Sequence, residues 1–139
     1  MIDGYDFSQN VYELTPGSTI NEDLTQNEDI AHAYLGDGYH LPSEEDFQEL
    51  LDNCTSSWVN INGVNGIRLT SNLNGLSIFL PAAGDFNGTS LGNDNIAGFY
   101  WTKEYSSNAE AKGFNFSSTN GGHLDTYSRS YGFTIRAVK

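Results

Sequence analysis

The last third of the sequence, residues 99–139, constrains the fold more than any other stretch. It begins with the aromatic run Phe99-Tyr100-Trp101-Thr102 and ends with the alternating stretch 131–139. Apolar alternation of this kind predicts strands held in a core. Of the 27 residues from Tyr105 to Tyr131, 19 are Ser, Asn, Thr, Tyr, Asp, His or Gly. Paratopes use these residue types, because Tyr gives rigid contact area and Ser, Asn and Gly give adaptable hydrogen bonds. We therefore expect a binding surface on a β scaffold.

The length of 139 residues predicts one domain with a single core. We assign residues 1–26 to an N-terminal extension with a short edge strand and residues 27–139 to the main body. The net charge of -12 is uneven: residues 1–67 hold 13 acidic residues and no Lys or Arg, whereas residues 68–139 hold 5 acidic and 6 basic residues. Nucleic acid is excluded as a partner, because no basic stripe is present to neutralise phosphates.

The sequence has one cysteine, Cys54, which cannot form an intramolecular disulfide, and it has no structural zinc pattern. The N-terminus has neither the basic nor the apolar region of a signal peptide, and no stretch is long enough for a transmembrane helix. We expect no membrane insertion. Three origins stay open: a phage virion protein, a cytoplasmic product, or an exported domain whose signal has been removed.

Two helices are predicted early in the chain. Asn27 is a candidate N-cap for a helix through residues 30–35 that stops at Gly36. A second helix starts at Ser43, which can cap it, with three acidic residues in the first turn. Its apolar positions follow helical spacing and form one stripe against the core: Phe47, Leu50, Leu51 and Cys54.

Strands are predicted from Trp58 onward. Residues 67–70 and 76–80 flank Asn74-Gly75, a signature of a type I′ hairpin turn. Pro81 ends the second of these strands because it cannot donate to the ladder. Residues 82–98 are expected to form a long polar loop. Further strands are expected at 99–102, 111–117, 123–127 and 131–138. The fold class is therefore α+β: two helices with a twisted, mainly antiparallel sheet and long loops.

Four sets of residues together carry a resemblance to a known family. They are the stretch 38–47 with Leu41-Pro42-Ser43-Glu44, the turn 63–66, the stretch 77–84, and Tyr100-Trp101-Thr102 with 132–136. In this order they resemble the Fibrobacter succinogenes major paralogous domain, common in gut Bacteroidetes and their phages. Tyr39 and His40 replace the Trp-Arg that usually precedes Leu-Pro in that family.

The resemblance implies a C-type-lectin-like fold over about residues 27–139, shared with formylglycine-generating enzymes. The family is also similar to variable proteins of diversity-generating retroelements, which vary a C-terminal segment to recognise new ligands. By that resemblance the segment 105–131 lies on the ligand-facing surface. The candidate ligand-binding residues there are Tyr105, Asn108, Lys112, Asn115, His123, Asp125, Tyr127 and Arg129.

Catalysis and metal binding are the alternatives to ligand recognition. An oxidase of the formylglycine-generating type needs a cysteine pair, and only Cys54 is present. The sequence thus favours a protein that is not an enzyme. Calcium is the one candidate cofactor, because the stretch 85–95 offers hard oxygen ligands. The same residues are ordinary turn formers: Asp85, Asn87, Asn93, Asp94 and Asn95.

The predicted function is non-catalytic recognition of a protein or a glycan through the C-terminal surface, as in a phage or bacterial receptor-binding protein. Two alternatives remain at this point. One is a structural virion or surface-assembly module without a specific ligand. The other is a metal-dependent enzyme on the same fold, which would need a metal or a perturbed pair of titratable residues in a deep pocket.

Overall fold

The computed structural model describes residues 5–6, 11–12, 23–26, 28–107 and 109–139. Within this part the chain forms two helices and eleven strands. The strands make three antiparallel three-stranded sheets, and a fourth, two-stranded pair joins β1 (Tyr5–Asp6) to β2 (Val11–Tyr12). The mixed helix and antiparallel sheet content agrees with the predicted α+β class.

The first helix, α1 (Ile30–Leu35), ends at Gly36 as predicted, and Gly36 has a φ of 85°. The predicted cap Asn27 lies outside the described residues. The observed cap is Asp29, whose Oδ1 accepts hydrogen bonds from the backbone N–H groups of Ala31 and His32. Its other oxygen accepts from the N–H of Leu41 at 2.7 Å. Asp29 is 3% exposed, so a buried carboxylate fastens α1 to the start of the next segment.

The second helix, α2 (Glu44–Asn53), confirms the prediction from its cap. Ser43 Oγ accepts from Asp46 N, and the Asp46 carboxylate accepts from Ser43 N, which together form a capping box. Phe47 is buried, whereas Leu51 is only half-buried and packs at the margin of the core. Cys54 lies beyond the helix, at the start of the next strand, and is partly exposed. It is the C-cap residue of α2 and still packs against the core, as the apolar stripe predicts.

The sheet beside α2 contains β3 (Cys54–Ile61), β4 (Val64–Ser71) and β5 (Ser77–Pro81). The predicted hairpin is confirmed, because β4 and β5 are adjacent antiparallel strands and β5 ends at Pro81. The predicted turn type at Asn74-Gly75 is wrong. Gly75 has a φ of 73°, but Asn74 has none of the positive φ that type I′ requires at both central residues. The connection spans residues 72–76, and Ser71 N donates to Leu76 O at 2.8 Å.

The type I′ geometry occurs one hairpin earlier. Asn62 and Gly63 are the only two residues between the paired Ile61 and Val64, and their φ values are 52° and 88°. Both positive values match the requirement for this turn. Two of the Asn-Gly pairs of the sequence, at 62–63 and 74–75, lie wholly in connections between strands. Only the first, which is flanked directly by paired residues, takes the tight turn.

A separate three-stranded sheet carries most of the polar segment 105–131. It has the order β10-β9-β8, with β8 (Ala97–Ser107), β9 (Glu110–Ser117) and β10 (Asn120–Ser128). The predicted strands 99–102, 111–117 and 123–127 are all present, and β8 and β10 are longer than predicted. Register irregularities interrupt the pairing within β8 and between Asn120 and His123.

The stretch 82–98 is not the long loop that was predicted. It contains a hairpin of β6 (Asp85–Asn87) and β7 (Ser90–Gly92), and β11 (Tyr131–Gly132) pairs with β6. The predicted strand 131–138 is instead β11 followed by single bridges. Thr134 pairs in parallel with Tyr100, and Val138 pairs with His40.

The core lies between α2, the β3-β4-β5 sheet and the β8-β9-β10 sheet. It joins residues of α2, β4, β5, β8 and β9, and Ala82 directly after β5, in one cluster: Phe47, Ile67, Leu69, Leu80, Ala82, Tyr100, Phe114 and Phe116. The Tyr100 hydroxyl donates to Pro81 O at 2.9 Å, which links β8 to β5. Phe114 and Phe116 face this core, and neither is exposed. Their strand neighbours of opposite parity therefore lie on the other face of the sheet.

Candidate recognition face

The face of the β8-β9-β10 sheet that points away from α2 is called here the recognition face. Directly paired residues share a face, so the register places its members in rows. Phe99, Asn115 and His123 form one row, and Trp101, Gly113 and Asp125 form the next. Tyr105, Ala111 and Tyr127 form a third row beyond the irregularity in β8.

Aromatic rings cover the β8 side of the recognition face. Phe133 comes from the C-terminal segment and stacks on Trp101 with ring centroids 4.2 Å apart, and on Tyr131 at 5.9 Å. Phe99 lies 5.1 Å from Phe133 and contacts the edge of Tyr127 at 6.0 Å. Phe133 is buried, whereas the four rings around it are half-buried. The result is an aromatic shelf of Phe99, Trp101, Tyr127 and Tyr131 around a fixed central ring.

The position of Tyr127 depends on Gly113. A Cβ atom added at Gly113 would lie 3.0 Å from Tyr127 Cδ2 and 3.2 Å from Tyr100 O. The absence of a side chain at Gly113 lets the Tyr127 ring lie against the backbone of β9. Burial raises the pKa of Tyr127 above its usual value, and the neighbouring Asp125 carboxylate adds to the rise. The Tyr127 hydroxyl is therefore neutral over the physiological range of pH.

A polar network borders the aromatic shelf on the β10 side. The Asn115 carboxamide is hydrogen-bonded to the Tyr127 hydroxyl, and it also lies 3.0 Å from Nε2 of His123. The Asn120 carboxamide is hydrogen-bonded to Nδ1 of the same imidazole, and its Oδ1 accepts from Gly122 N at 3.1 Å. Four side chains of β9 and β10 thus hold each other, namely Asn115, Asn120, His123 and Tyr127. His123 is exposed, as is Asp125 beside the network.

The structure brings together most of the predicted site residues. Tyr105, Asn115, His123, Asp125 and Tyr127 share the recognition face by register. Arg129 is half-buried just beyond β10, where its N–H donates to Ala109 O. Asn108 lies outside the described residues.

Lys112 does not belong to the recognition face, contrary to the convergence that was predicted. Its parity is that of Phe114 and Phe116, so its side chain leaves the sheet on the α2 side. There its Nζ lies 3.7 Å from a carboxylate oxygen of Glu44. Strand alternation explains this placement, because even positions of β9 all face α2.

Five residues of the site were not among the predicted ligand-binding residues: Phe99, Trp101, Asn120, Tyr131 and Phe133. The parity of Phe99 and Trp101, opposite to that of the buried Tyr100, was a usable signal. No local signal places Phe133, because its position depends on the C-terminal segment returning beside β8. Trp101 N donates to Thr134 O at 3.1 Å, and Thr134 N donates to Phe99 O at 2.9 Å.

The candidate calcium residues lie on and around the β6-β7 hairpin. The Asp85 carboxylate accepts a hydrogen bond from Asn93 Nδ2 at 2.7 Å, and Asn93 and Asn95 both have positive φ. Asn95 holds β4 through two hydrogen bonds with Asn65. Asp94 is exposed, and Asn87 sits at the end of β6. Among the described residues no group of three or more His, Cys, Asp or Glu side chains converges as a metal site would require.

In the part of the chain that the structure describes, neither helix has the length and apolar character needed to cross a membrane. No protein-family model matches the chain, and no curated protein and no solved structure matches it either. The site is therefore interpreted from its own geometry.

Proposed function

We propose that this chain is a C-type-lectin-like domain that binds a protein or a glycan, without catalysis, through its recognition face. The observation that carries the proposal is the aromatic shelf and the polar network side by side on one sheet face. Half-buried Tyr and Trp rings supply contact area with little loss of rotamer entropy, while Asn, His and Asp supply hydrogen bonds.

The rigidity of this face supports binding rather than simple solvation. All four rings of the shelf contact Phe133. Phe99 and Tyr127 also contact each other. The Tyr127 hydroxyl is held by Asn115, and its ring is held over Gly113. A face that is ordered before binding loses less entropy on association, which raises affinity.

An alanine scan of the recognition face tests the proposal. The purified protein is measured for thermal stability and for binding to a panel of bacterial surface glycans and surface proteins. We expect Tyr127→Ala to weaken binding by about 2 kcal/mol or more, as anchor residues do. The matched controls are Ser118→Ala and Thr119→Ala, which are exposed in the turn between β9 and β10. If the two controls and Tyr127→Ala have the same effect on every panel member, the recognition face is not the binding surface.

We further propose that a retroelement diversifies this surface, as the resemblance to variable proteins suggests. Related copies of the gene should then differ at Asn115, His123, Asp125 and Tyr127, while Phe114 and Phe116 stay constant in the core. The test is to sequence the neighbouring DNA for a reverse transcriptase and a near-copy of the 3′ coding end. Substitutions spread evenly over both faces of the sheet would contradict diversification.

A second candidate function, a surface-assembly module, is favoured by one observation away from the recognition face. Phe86 and Leu91 are 42% and 49% exposed and pair directly across β6 and β7. Exposed apolar residues that adjoin one another often mark protein contacts. Analytical ultracentrifugation of the protein and of Leu91→Ser separates the two functions. Self-association that Leu91→Ser abolishes would support assembly, and a monomer at all concentrations would contradict it.

A further inference from the structure

The imidazole of His123 lies between two carboxamides, and this sets a constraint on the hydrogen atoms of the whole network. The nitrogen ends of Asn115 and Asn120 are placed against Nε2 and Nδ1 of His123, respectively. A neutral imidazole has one donor nitrogen and one acceptor nitrogen. Only one of the two carboxamides can therefore donate to it, and the other must present its oxygen. The two ends of a carboxamide have nearly the same shape, so the surrounding hydrogen bonds decide which one turns.

Asn120 is the carboxamide whose orientation is fixed. Its Oδ1 accepts a hydrogen bond from Gly122 N at 3.1 Å. If Asn120 were turned over, its NH₂ group would face that backbone N–H, and two donors would meet. Its Nδ2 therefore donates to Nδ1 of His123, and the imidazole hydrogen is on Nε2.

Asn115 must then present its oxygen to the Nε2–H group. The same end of Asn115 also contacts the Tyr127 hydroxyl. An oxygen at that position accepts from both neighbours, so the Tyr127 O–H group donates inward to Asn115. Turning Asn115 sacrifices only its long contact with Asn120, at 3.5 Å. In this arrangement the donors and acceptors at His123, Tyr127 and Gly122 are all matched.

We propose that Asn120 and His123 are specificity-determining positioning residues, which act through Asn115 to leave the Tyr127 oxygen as a hydrogen-bond acceptor on the recognition face. The ligand group that meets Tyr127 must then be a donor, such as a sugar hydroxyl or an amide N–H. The part of this inference that concerns the ligand rests on the proposed function. The hydrogen-bond relay itself does not, since it is a property of the free protein.

The relay is tested by nitrogen NMR of the histidine side chains in the free protein, on the alkaline side of imidazole titration. Long-range proton–nitrogen correlations distinguish a protonated from an unprotonated ring nitrogen. His123→Gln identifies the His123 signals among the three histidines of the chain. We expect Nε2 to be the protonated nitrogen. A protonated Nδ1, or an even mixture of the two tautomers, would overturn the proposal.

Two substitutions by aspartate give opposite expectations, because a carboxylate can only accept. Asn115→Asp keeps an acceptor against Nε2–H and against Tyr127, so the tautomer should be unchanged. Asn120→Asp keeps the acceptor for Gly122 N but places a second acceptor against Nδ1, so the protonated nitrogen should change to Nδ1. The matched control is Asn74→Asp, because Asn74 Oδ1 accepts from Leu76 N in the same way, at 3.0 Å, in another hairpin. It should leave His123 unaltered. The same response to the two substitutions at 115 and 120 would contradict the relay.

Binding to the glycan and protein panel separates the relay from the proposed function. Tyr127→Phe removes the acceptor, and we expect it to weaken a bound panel member by about tenfold, the worth of one hydrogen bond. Asn120→Asp should change which panel members bind. With the imidazole hydrogen on Nδ1, Asn115 presents its NH₂ group to Nε2 and to Tyr127, so the Tyr127 O–H group points toward the ligand as a donor. An Nε2–H tautomer together with a panel insensitive to Tyr127→Ala would overturn the proposed function and leave the relay. An Nδ1–H tautomer with Tyr127-dependent binding would do the reverse.

Discussion

The ring of Phe47 is stacked on the ring of Phe114, with centroids 4.5 Å apart and planes inclined by 11°. This contact fixes α2 to the middle strand of the sheet that carries the recognition face. Phe114 in turn lies 5.9 Å from Phe116, which contacts Trp58 of the other sheet at 6.4 Å. The helix, the β3-β4-β5 sheet and the β8-β9-β10 sheet are thus connected through one line of aromatic rings.

The first prediction concerns this stacked pair. Phe47→Ala should reduce the free energy of unfolding by about 3–5 kcal/mol, because it removes a fully buried ring from a packed core. Leu51→Ala, at a half-buried position of the same helix, should cost about 2 kcal/mol, at the low end for core leucines. Urea denaturation followed by fluorescence measures both. A Leu51→Ala loss larger than that of Phe47→Ala would contradict the core as described.

The second prediction concerns Gly113. Gly113→Ala should destabilise the protein by about 1–3 kcal/mol, because the new methyl group overlaps the Tyr127 ring and presses on Tyr100 O. In a Tyr127→Ala background the added cost should be smaller, since one of the two overlaps is gone. A double-mutant cycle of thermal unfolding gives the coupling between the two positions. Strict additivity would mean that the Tyr127 ring does not lie on Gly113.

Helix α2 and the Asn-Gly turns differ in how well local sequence signals predict them. The cap at Ser43 and the spacing of Phe47, Leu50 and Leu51 are local signals, and they placed α2 correctly because a capping box needs only four consecutive residues. The Asn-Gly signal was equally local but ambiguous. Asn62-Gly63 and Asn74-Gly75 are the same dipeptide, and only the register of the flanking strands decides which one is a tight turn.

Local signals also predicted part of the recognition face. Alternation along β9 separated Phe114 and Phe116 from Asn115 without knowledge of the partner strands. The aromatic shelf was not predictable in this way, because it requires Phe133 to come from a segment that pairs with β8 across some 30 residues of chain. The Asn120–His123 contact was also missed, since it depends on an irregularity in the β9-β10 register.

A third prediction follows from Tyr100, whose burial raises its pKa well above the ordinary tyrosine value of 10.0. The unfolded chain loses the phenol proton at lower pH than the folded protein does. The contribution of Tyr100 to the free energy of unfolding is therefore fully present below the ordinary tyrosine pKa of 10.0 and is lost as the pH rises above that value. Tyr100→Phe should make the decline shallower, at a cost of about 1 kcal/mol at neutral pH for the lost hydrogen bond to Pro81 O.

Thermal unfolding between pH 8 and pH 11 measures this dependence. Tyr127 contributes in the same direction, because its pKa is raised as well. Tyr127→Phe is therefore the comparison variant, with a smaller effect on the slope because Tyr127 is only half-buried. An alkaline decline that is identical in the parent protein and in Tyr100→Phe would show that ionisation of Tyr100 does not limit stability.

The last prediction concerns Lys112, the residue that strand parity removes from the recognition face. Lys112→Ala should leave binding to every panel member unchanged, whereas Tyr127→Ala on the opposite face should weaken it. Its effect on the free energy of unfolding should be about 1 kcal/mol or less, because the pair with Glu44 is partly exposed and its two charged atoms are 3.7 Å apart. Glu44→Gln should cost a similar amount, and the double variant should cost little more than either single change. If Lys112→Ala weakens binding as strongly as Tyr127→Ala does, the ligand reaches the α2 side of the sheet, and the recognition face is not confined to the residues of odd parity.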